Sequence, residues 1–259
     1  MNNVGMMLMK LGKYDEALEE HEKALALWER SLGPDHPRAG EALNNIGEVF
    51  RVEHMFVRAE QYYLRVLALD EKGGDENGSY LAADHINLGD AYLGQKRVEL
   101  ALAEYEHGRT LAAAAEGKDH RDVAMALVGI GSARFAQRRY DDALASQERA
   151  LAILRRALGD AHPDLAAPLL GIARVHLARG APKAAIPPAS EAVGLREKNA
   201  TDPHLLAEAR VVLARARWNA EVAPDAARAL ALDAREVLAA DRYGAAEVAE
   251  IDALLTSHR

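Results

Sequence analysis

Cysteine is absent from this chain of 259 residues, so it has no disulfide framework, no thiol nucleophile and no thiolate zinc site. Aromatic residues make up only 5% against a hydrophobic content of 49%, which leaves Ala, Leu and Val to build the core. Such a core suits close helix packing and disfavours sandwiches and barrels, whose strands draw on β-branched and aromatic side chains. Basic residues are in the minority: 32 Lys and Arg face 40 Asp and Glu, a formal net charge of −8. That balance argues against a phosphate-binding surface and hence against a nucleic-acid partner. There is no apolar run of about 18 residues and no basic-then-apolar leader, so no membrane partner is expected and a cytoplasmic location is.

What the chain does contain is a ruler. Asn2-Asn3-Val4-Gly5 returns as Asn44-Asn45-Ile46-Gly47, Ile86-Asn87-Leu88-Gly89, Val128-Gly129-Ile130-Gly131 and Leu170-Gly171-Ile172-Ala173, a constant step of 42 residues. A period of this size marks an array of units that each bury an apolar face against their neighbours. Function is then sought on a repeated surface.

Residues 35–76 serve as the type unit. Gly33-Pro34 ends the preceding helix, Asp35 is placed to accept backbone N–H groups, and Pro37 sits in the first turn of the next. Ala42, Leu43, Ile46, Val49 and Phe50 recur at spacings of three and four, which predicts an amphipathic helix ending near Val52. A second helix is predicted from Phe56 towards Lys72, stopped by Gly73-Gly74. Ala17, Ala59, Ala101, Ala143 and Ala185 each follow the small residue of the first helix by twelve positions, where they let the two helices of a hairpin cross closely.

The units are delimited as 1–34 (lacking its opening turn), 35–76, 77–118, 119–160, 161–201 and 202–242, with a capping helix in 243–259. The sixth follows a one-residue deletion, with Ala214 and Ala226 keeping the spacing of twelve. Met1 falls where other copies are already inside their first helix, so the expectation is a C-terminal portion of a longer array or an internal start, with Val4, Met7 and Leu8 poorly covered and favouring end-to-end association. Pro187-Pro188 removes two donors from the second helix of the fifth unit and is expected to kink or delay it.

Leu43-Asn44-Asn45-Ile46-Gly47, Tyr14-Asp15-Glu16-Ala17-Leu18, Tyr140-Asp141-Asp142-Ala143-Leu144 and Leu32-Gly33-Pro34-Asp35-His36-Pro37 resemble the tetratricopeptide repeat in its 42-residue, kinesin light chain-like form. The resemblance implies an all-α fold, a right-handed superhelical solenoid of about six helix-turn-helix repeats plus a C-terminal capping helix. The alanine-rich end, with Leu213-Ala214-Arg215-Ala216-Arg217-Trp218, resembles the close of arrays that follow bacterial serine/threonine kinase domains, which implies kinase association as an alternative. No kinase signature lies in the chain itself.

Signals for chemistry are weak. Gly129-Ile130-Gly131-Ser132 sits inside a predicted helix with no strand before it, so no cofactor is expected. The ten histidines form no His-Glu-x-x-His pair, so no metal site is expected, and His36 and His162 are read as residues beside helix caps. No nucleophile stands with a plausible base, so no catalytic residues are assigned. An enzyme with an unrecognised site is the remote alternative, betrayed by a bound metal or nucleotide.

The expected function is therefore a protein-interaction scaffold whose first helices line a concave groove for a protein or peptide. Family resemblance implies that Asn2, Asn3, Asn44, Asn45 and Asn87 hold a peptide backbone, because an amide both donates and accepts. The same amides have a second reading, as bridges between adjacent repeats. One position after the small residue stand Glu48, Asp90, Ser132, Arg174 and Arg215, and four positions after it Arg51, Phe135 and Trp218. These suggest a groove acidic early and basic late, suited to orienting a partner.

Overall fold

The structure is a computed structural model that describes residues 2–73, 79–199, 202–240 and 244–257. Gly74, one of the expected helix stops, and the side chain of Asn2 lie outside the described residues. Every regular element among the described residues is helical, and the chain divides into two compact units, 1–137 and 138–259.

In the first unit, α1 (Asn2–Lys10) pairs with α2 (Tyr14–Leu32), α3 (Pro37–Val52) with α4 (Phe56–Gly73), and α5 (Ser79–Gly94) with α6 (Val98–Ala115), after which α7 (Arg121–Ala136) packs on α6. In the second, α8 (Tyr140–Leu158) packs on α9 (Ala166–Ala178), α9 pairs with α10 (Pro182–Lys198) and α11 (Pro203–Asn219) with α12 (Pro224–Ala239). The closing helix α13 (Ala245–Ser257) lies on α12 and inserts Ile251 and Leu255 into a core with Trp218, Ala227 and Ala231.

The alanines at the twelve-residue offset, Ala17, Ala59, Ala101, Ala143 and Ala185, are all fully buried. A larger part of the glycine pattern comes from a side chain sixteen positions on. A Cβ on Gly5 would meet the His21 ring at 2.5 Å, one on Gly47 the Tyr63 ring at 2.6 Å, and one on Gly89 the Tyr105 ring at 2.7 Å. In each of these three hairpins a large side chain of the second helix thus sits against the bare backbone of the first.

The turn inside each hairpin repeats as strictly as the helices. Gly12, His54, Lys96, Arg138, Gly180 and Glu221 all take positive φ, between 57° and 70°. The amide after five of them reaches back to the carbonyl five residues earlier, as in Met55 N to Phe50 O at 2.8 Å and Arg97 N to Tyr92 O at 2.9 Å. This bond closes a left-handed helix end, and glycine is present at only two of the six positions.

Several expectations change. Asp35 is not the cap of α3: His36 is, its Nδ1 accepting from Arg38 N at 3.2 Å, and His120 and His162 repeat the contact to Asp122 N and Asp164 N. An acceptor Nδ1 places the ring proton on Nε2. Ala226 is exposed and Ala227 buried, because the turn into α12 carries an extra residue and a second left-handed position at Ala223. Pro187 and Pro188 neither delay nor interrupt α10. The irregularity falls on the first helix of that unit, which opens with a 3₁₀ turn, Pro163–Leu165, before α9. Leu8 is covered by the Tyr14, Ala17 and Val49 cluster, whereas Val4 and Met7 are exposed.

Candidate functional site

Two helices of the first unit carry the site. On α3, Glu41, Asn44, Glu48 and Arg51 follow one another at three- and four-residue spacing, and on α5 so do Tyr80, Asp84, Asn87 and Asp90, so each set forms one stripe. The stripes meet where Asn87 Nδ2 donates to Asn44 Oδ1 at 2.9 Å. That bond takes one donor from Asn87 and the acceptor of Asn44, so the pair still holds an amide donor on Asn44 and a carbonyl acceptor on Asn87.

On one side of the amide pair lies an ion network. Arg51 grips Glu48 with two bonds, Nε to Oε2 at 2.7 Å and Nη2 to Oε1 at 2.5 Å. Tyr63 donates to the same carboxylate at 3.2 Å, and Tyr105 donates to Asp90 Oδ1 at 2.6 Å. Glu48 holds the Arg51 guanidinium well above its ordinary range, more strongly than burial lowers it. Burial raises the Asp90 carboxyl, an effect that Arg51 and the Tyr105 hydroxyl only partly offset. Burial also lifts both tyrosine hydroxyls, with Glu48 adding to the effect at Tyr63 and Asp90 at Tyr105. The hydroxyls therefore stay protonated and anchor the stripe to α4 and α6.

On the other side lies an open groove of about 540 Å³ whose lining includes Asn44 and Asn87. Its walls come from α3, the end of α4 and the start of α5. That volume lies within the roughly 300–1,000 Å³ typical of ligand pockets.

The remaining expected site residues are scattered. Asn3 is exposed on α1 and Asn45 half-buried on α3. Ser132 Oγ donates to Val128 O at 3.0 Å within α7, where Phe135 is half-buried. In the second unit, Arg174 binds Glu208 at 2.5 Å and Arg215 pairs with Glu250. Glu208 also takes the buried Arg196 at 3.2 Å, and although burial raises its carboxyl, Arg174 and Arg196 bring it below the ordinary value. The expected run from acidic to basic is therefore not a bare charge pattern, because Glu48, Arg174 and Arg215 each have an opposite partner. Trp218 is only 5% exposed and belongs to the core under α13, so it offers no surface to a ligand.

The asparagine stripe stops after Asn87 for a steric reason. A Cβ on Gly129 would come within 2.3 Å of the Tyr105 ring, and one on Gly171 within 2.5 Å of Gln147. The reading from sequence missed Tyr63 and Tyr105 as anchors, although their constant offset of sixteen from the small residue was available. It also missed the groove residues Glu41, Tyr80 and Asp84, which lie earlier on the same helix faces. Among the described residues no group of three or more His, Asp or Glu could hold a metal ion, and no helix is long and apolar enough to cross a membrane.

Comparison with known proteins agrees with the repeat pattern. The family model for the tetratricopeptide repeat matches residues 1–72, 79–144 and 122–198. The general transcriptional corepressor trfA of Dictyostelium discoideum is 30% identical over 96 residues, 37% of this chain and 6% of that protein. Among solved structures, NprR in complex with its cognate peptide NprX superposes with a TM-score of 0.73 at 14% identity, covering 97% of this chain and 70% of that one. A set of nearly identical kinesin light chain-type repeats from Podosopora anserina gives a TM-score of 0.56 at 19% identity, covering 76% and 94%. With three matches that together span most of residues 1–198 along a helical array of 42-residue hairpins, the chain belongs to the tetratricopeptide repeat family.

Proposed function

We propose that the protein is an interaction scaffold that receives an extended segment of a protein or peptide in the groove between α3 and α5. The observation that carries this reading is the Asn87–Asn44 pair, which lines the groove and keeps one donor and one acceptor, the two groups a peptide unit presents. Recognition of the backbone by amides, with side chains sorted by the groove walls, needs no chemistry from the protein. The fold-level likeness to NprR, which was solved with a peptide, supports the same reading. Association with a serine/threonine kinase is a finer alternative that rests on the alanine-rich end alone.

An affinity near micromolar, roughly −8 kcal/mol, is expected for one such groove. The test is a random heptapeptide display library panned on the full chain and on an Asn44→Ala plus Asn87→Ala variant whose helicity is checked by circular dichroism. Retained peptides are expected to bind the variant about tenfold or more weakly, the scale of two lost hydrogen bonds. Retention of no peptide, or equal binding by the variant, would remove the groove from the proposal.

A further inference from the structure

Resting on the groove reading, we propose that Gly40 selects the occupant: its bare backbone leaves room for one large apolar side chain of the bound segment, such as leucine, methionine or phenylalanine. Gly40 lies inside α3 and lines the groove. It stands seven positions before the small residue of the first helix, a place held in the later units by Ala82, Ala124, Ala166 and Ala207, all buried. Glycine in a helix interior is less stable than alanine, so this one departure needs a cause. Packing does not supply it. A Cβ on Gly40 would make only ordinary contact, with Asp70 Oδ1 and Leu69 Cδ1 at 4.0 Å, whereas one on Gly47 would meet the Tyr63 ring at 2.6 Å.

A second lining residue departs from the repeat as well. Val66 on α4 stands where units one, three, four and five carry Ala24, Gly108, Ala150 and Ala192, nineteen positions after the small residue. In the third unit the two helices close on each other at this point, since a Cβ on Gly108 would meet Ala82 O at 2.8 Å. In the second unit the sizes are reversed, and Val66 does not come within 4 Å of a Cβ on Gly40. Both residues line the groove, so the room they leave is room for an occupant. Asp70 and Asp84, also in the lining, already interact within the protein, so selection rests on shape rather than on charge. A charged side chain set against Pro37, Val66 and Ala83 would lose hydration, and a small one would leave the recess unfilled. Gly40 precedes Asn44 by four residues, about 6 Å along α3, and an extended segment advances about 3.3 Å per residue. The selected side chain therefore falls within two residues of the peptide unit held by the amide pair.

The same heptapeptide library separates this inference from the one beneath it. Peptides retained by the full chain are expected to share a large apolar residue at one position. A synthetic copy of the best one is expected to bind a Gly40→Ala variant about tenfold or more weakly, the scale of one overpacked contact. The urea midpoint of that variant is expected to equal or exceed that of the wild type, because a methyl group at residue 40 fits the free protein. Gly194→Ala in α10, another helix glycine whose Cβ would meet nothing within 4 Å, is expected to bind the copy as before. A second copy with the shared residue shortened to alanine should bind the wild type more weakly than the first, and Gly40→Ala no more weakly than the wild type. Retained peptides without a shared large apolar residue, equal binding of the first copy by Gly40→Ala, equal loss of both copies on that variant, or a lowered midpoint would overturn this inference and leave the groove reading standing. Retention of no peptide would overturn both.

Discussion

At Gly129 the smallest side chain is dictated by one of the largest. The Tyr105 ring is fully buried, tied through its hydroxyl to Asp90, and lies against both Gly89 and Gly129. A methyl group at residue 129 would have to displace a ring that cannot move without losing that bond. Gly129→Ala is therefore expected to lower stability by about 1–2 kcal/mol, overpacking outweighing the gain of about 1 kcal/mol from alanine's helix propensity. Urea unfolding would show this as a lower midpoint at constant slope, and an unchanged or raised midpoint would remove the steric account. His21 fills the corresponding place on Gly5, where burial lowers its imidazole below the ordinary 6.5 against an opposing effect from Glu20. The unfolded chain then takes up the proton first as pH falls. Stability from neutral His21 is complete above about pH 6.5 and declines as pH drops towards the folded value. Between about pH 7 and pH 5 the wild type is expected to lose more stability than His21→Gln, measured by urea midpoints at each pH. Parallel losses would show that His21 is not the titrating group.

Among the helices, boundaries were legible wherever side-chain periodicity and punctuation coincide. Val52 and Phe56 bracket the turn between α3 and α4, and Ala245–Ser257 is α13, because apolar spacing and flanking glycine report the same local preference. The left-handed position in each hairpin turn was not legible, since His54, Lys96, Arg138 and Glu221 carry no signal for it, and His54, Lys96 and Glu221 are held there by the bond from the following amide. The N-cap of α3 was misplaced by one residue for a related reason: Asp35 is the better cap by residue type, but the turn geometry presents His36. The stripes that form the site were legible as spacings along single helices. Their pairing was not, because Asn44 with Asn87 and Tyr105 with Asp90 depend on how neighbouring helices meet. Strain at the turn gives a direct test. Lys96 is exposed at φ 62°, so Lys96→Gly is expected to raise stability by about 0.5–1 kcal/mol, relief of the left-handed penalty exceeding the added freedom of the unfolded chain. A lower thermal midpoint would mean the lysine is held by more than its backbone.

Across the whole molecule, stability in an array of this kind is a sum of hairpin terms and nearest-neighbour interfaces, so a local loss fades with distance along the chain. The two tryptophans allow this to be read separately, because Trp28 lies in the unit 1–137 and Trp218 in the unit 138–259. Ile251 is 1% exposed and joins Trp218, Ala231 and Leu255 in the core beneath α13. Ile251→Ala leaves a cavity there and is expected to cost about 2–5 kcal/mol within that unit. In a Trp28→Phe background, fluorescence from Trp218 should report a clearly lower denaturation midpoint for Ile251→Ala. In a Trp218→Phe background, Trp28 should report a smaller shift, because the cavity lies in the other compact unit. Equal shifts at both tryptophans would instead describe a chain that unfolds as one cooperative block. In that case the groove between α3 and α5 would share the fate of the C-terminal core, and a lesion at α13 would weaken peptide capture some hundred and sixty residues away in sequence.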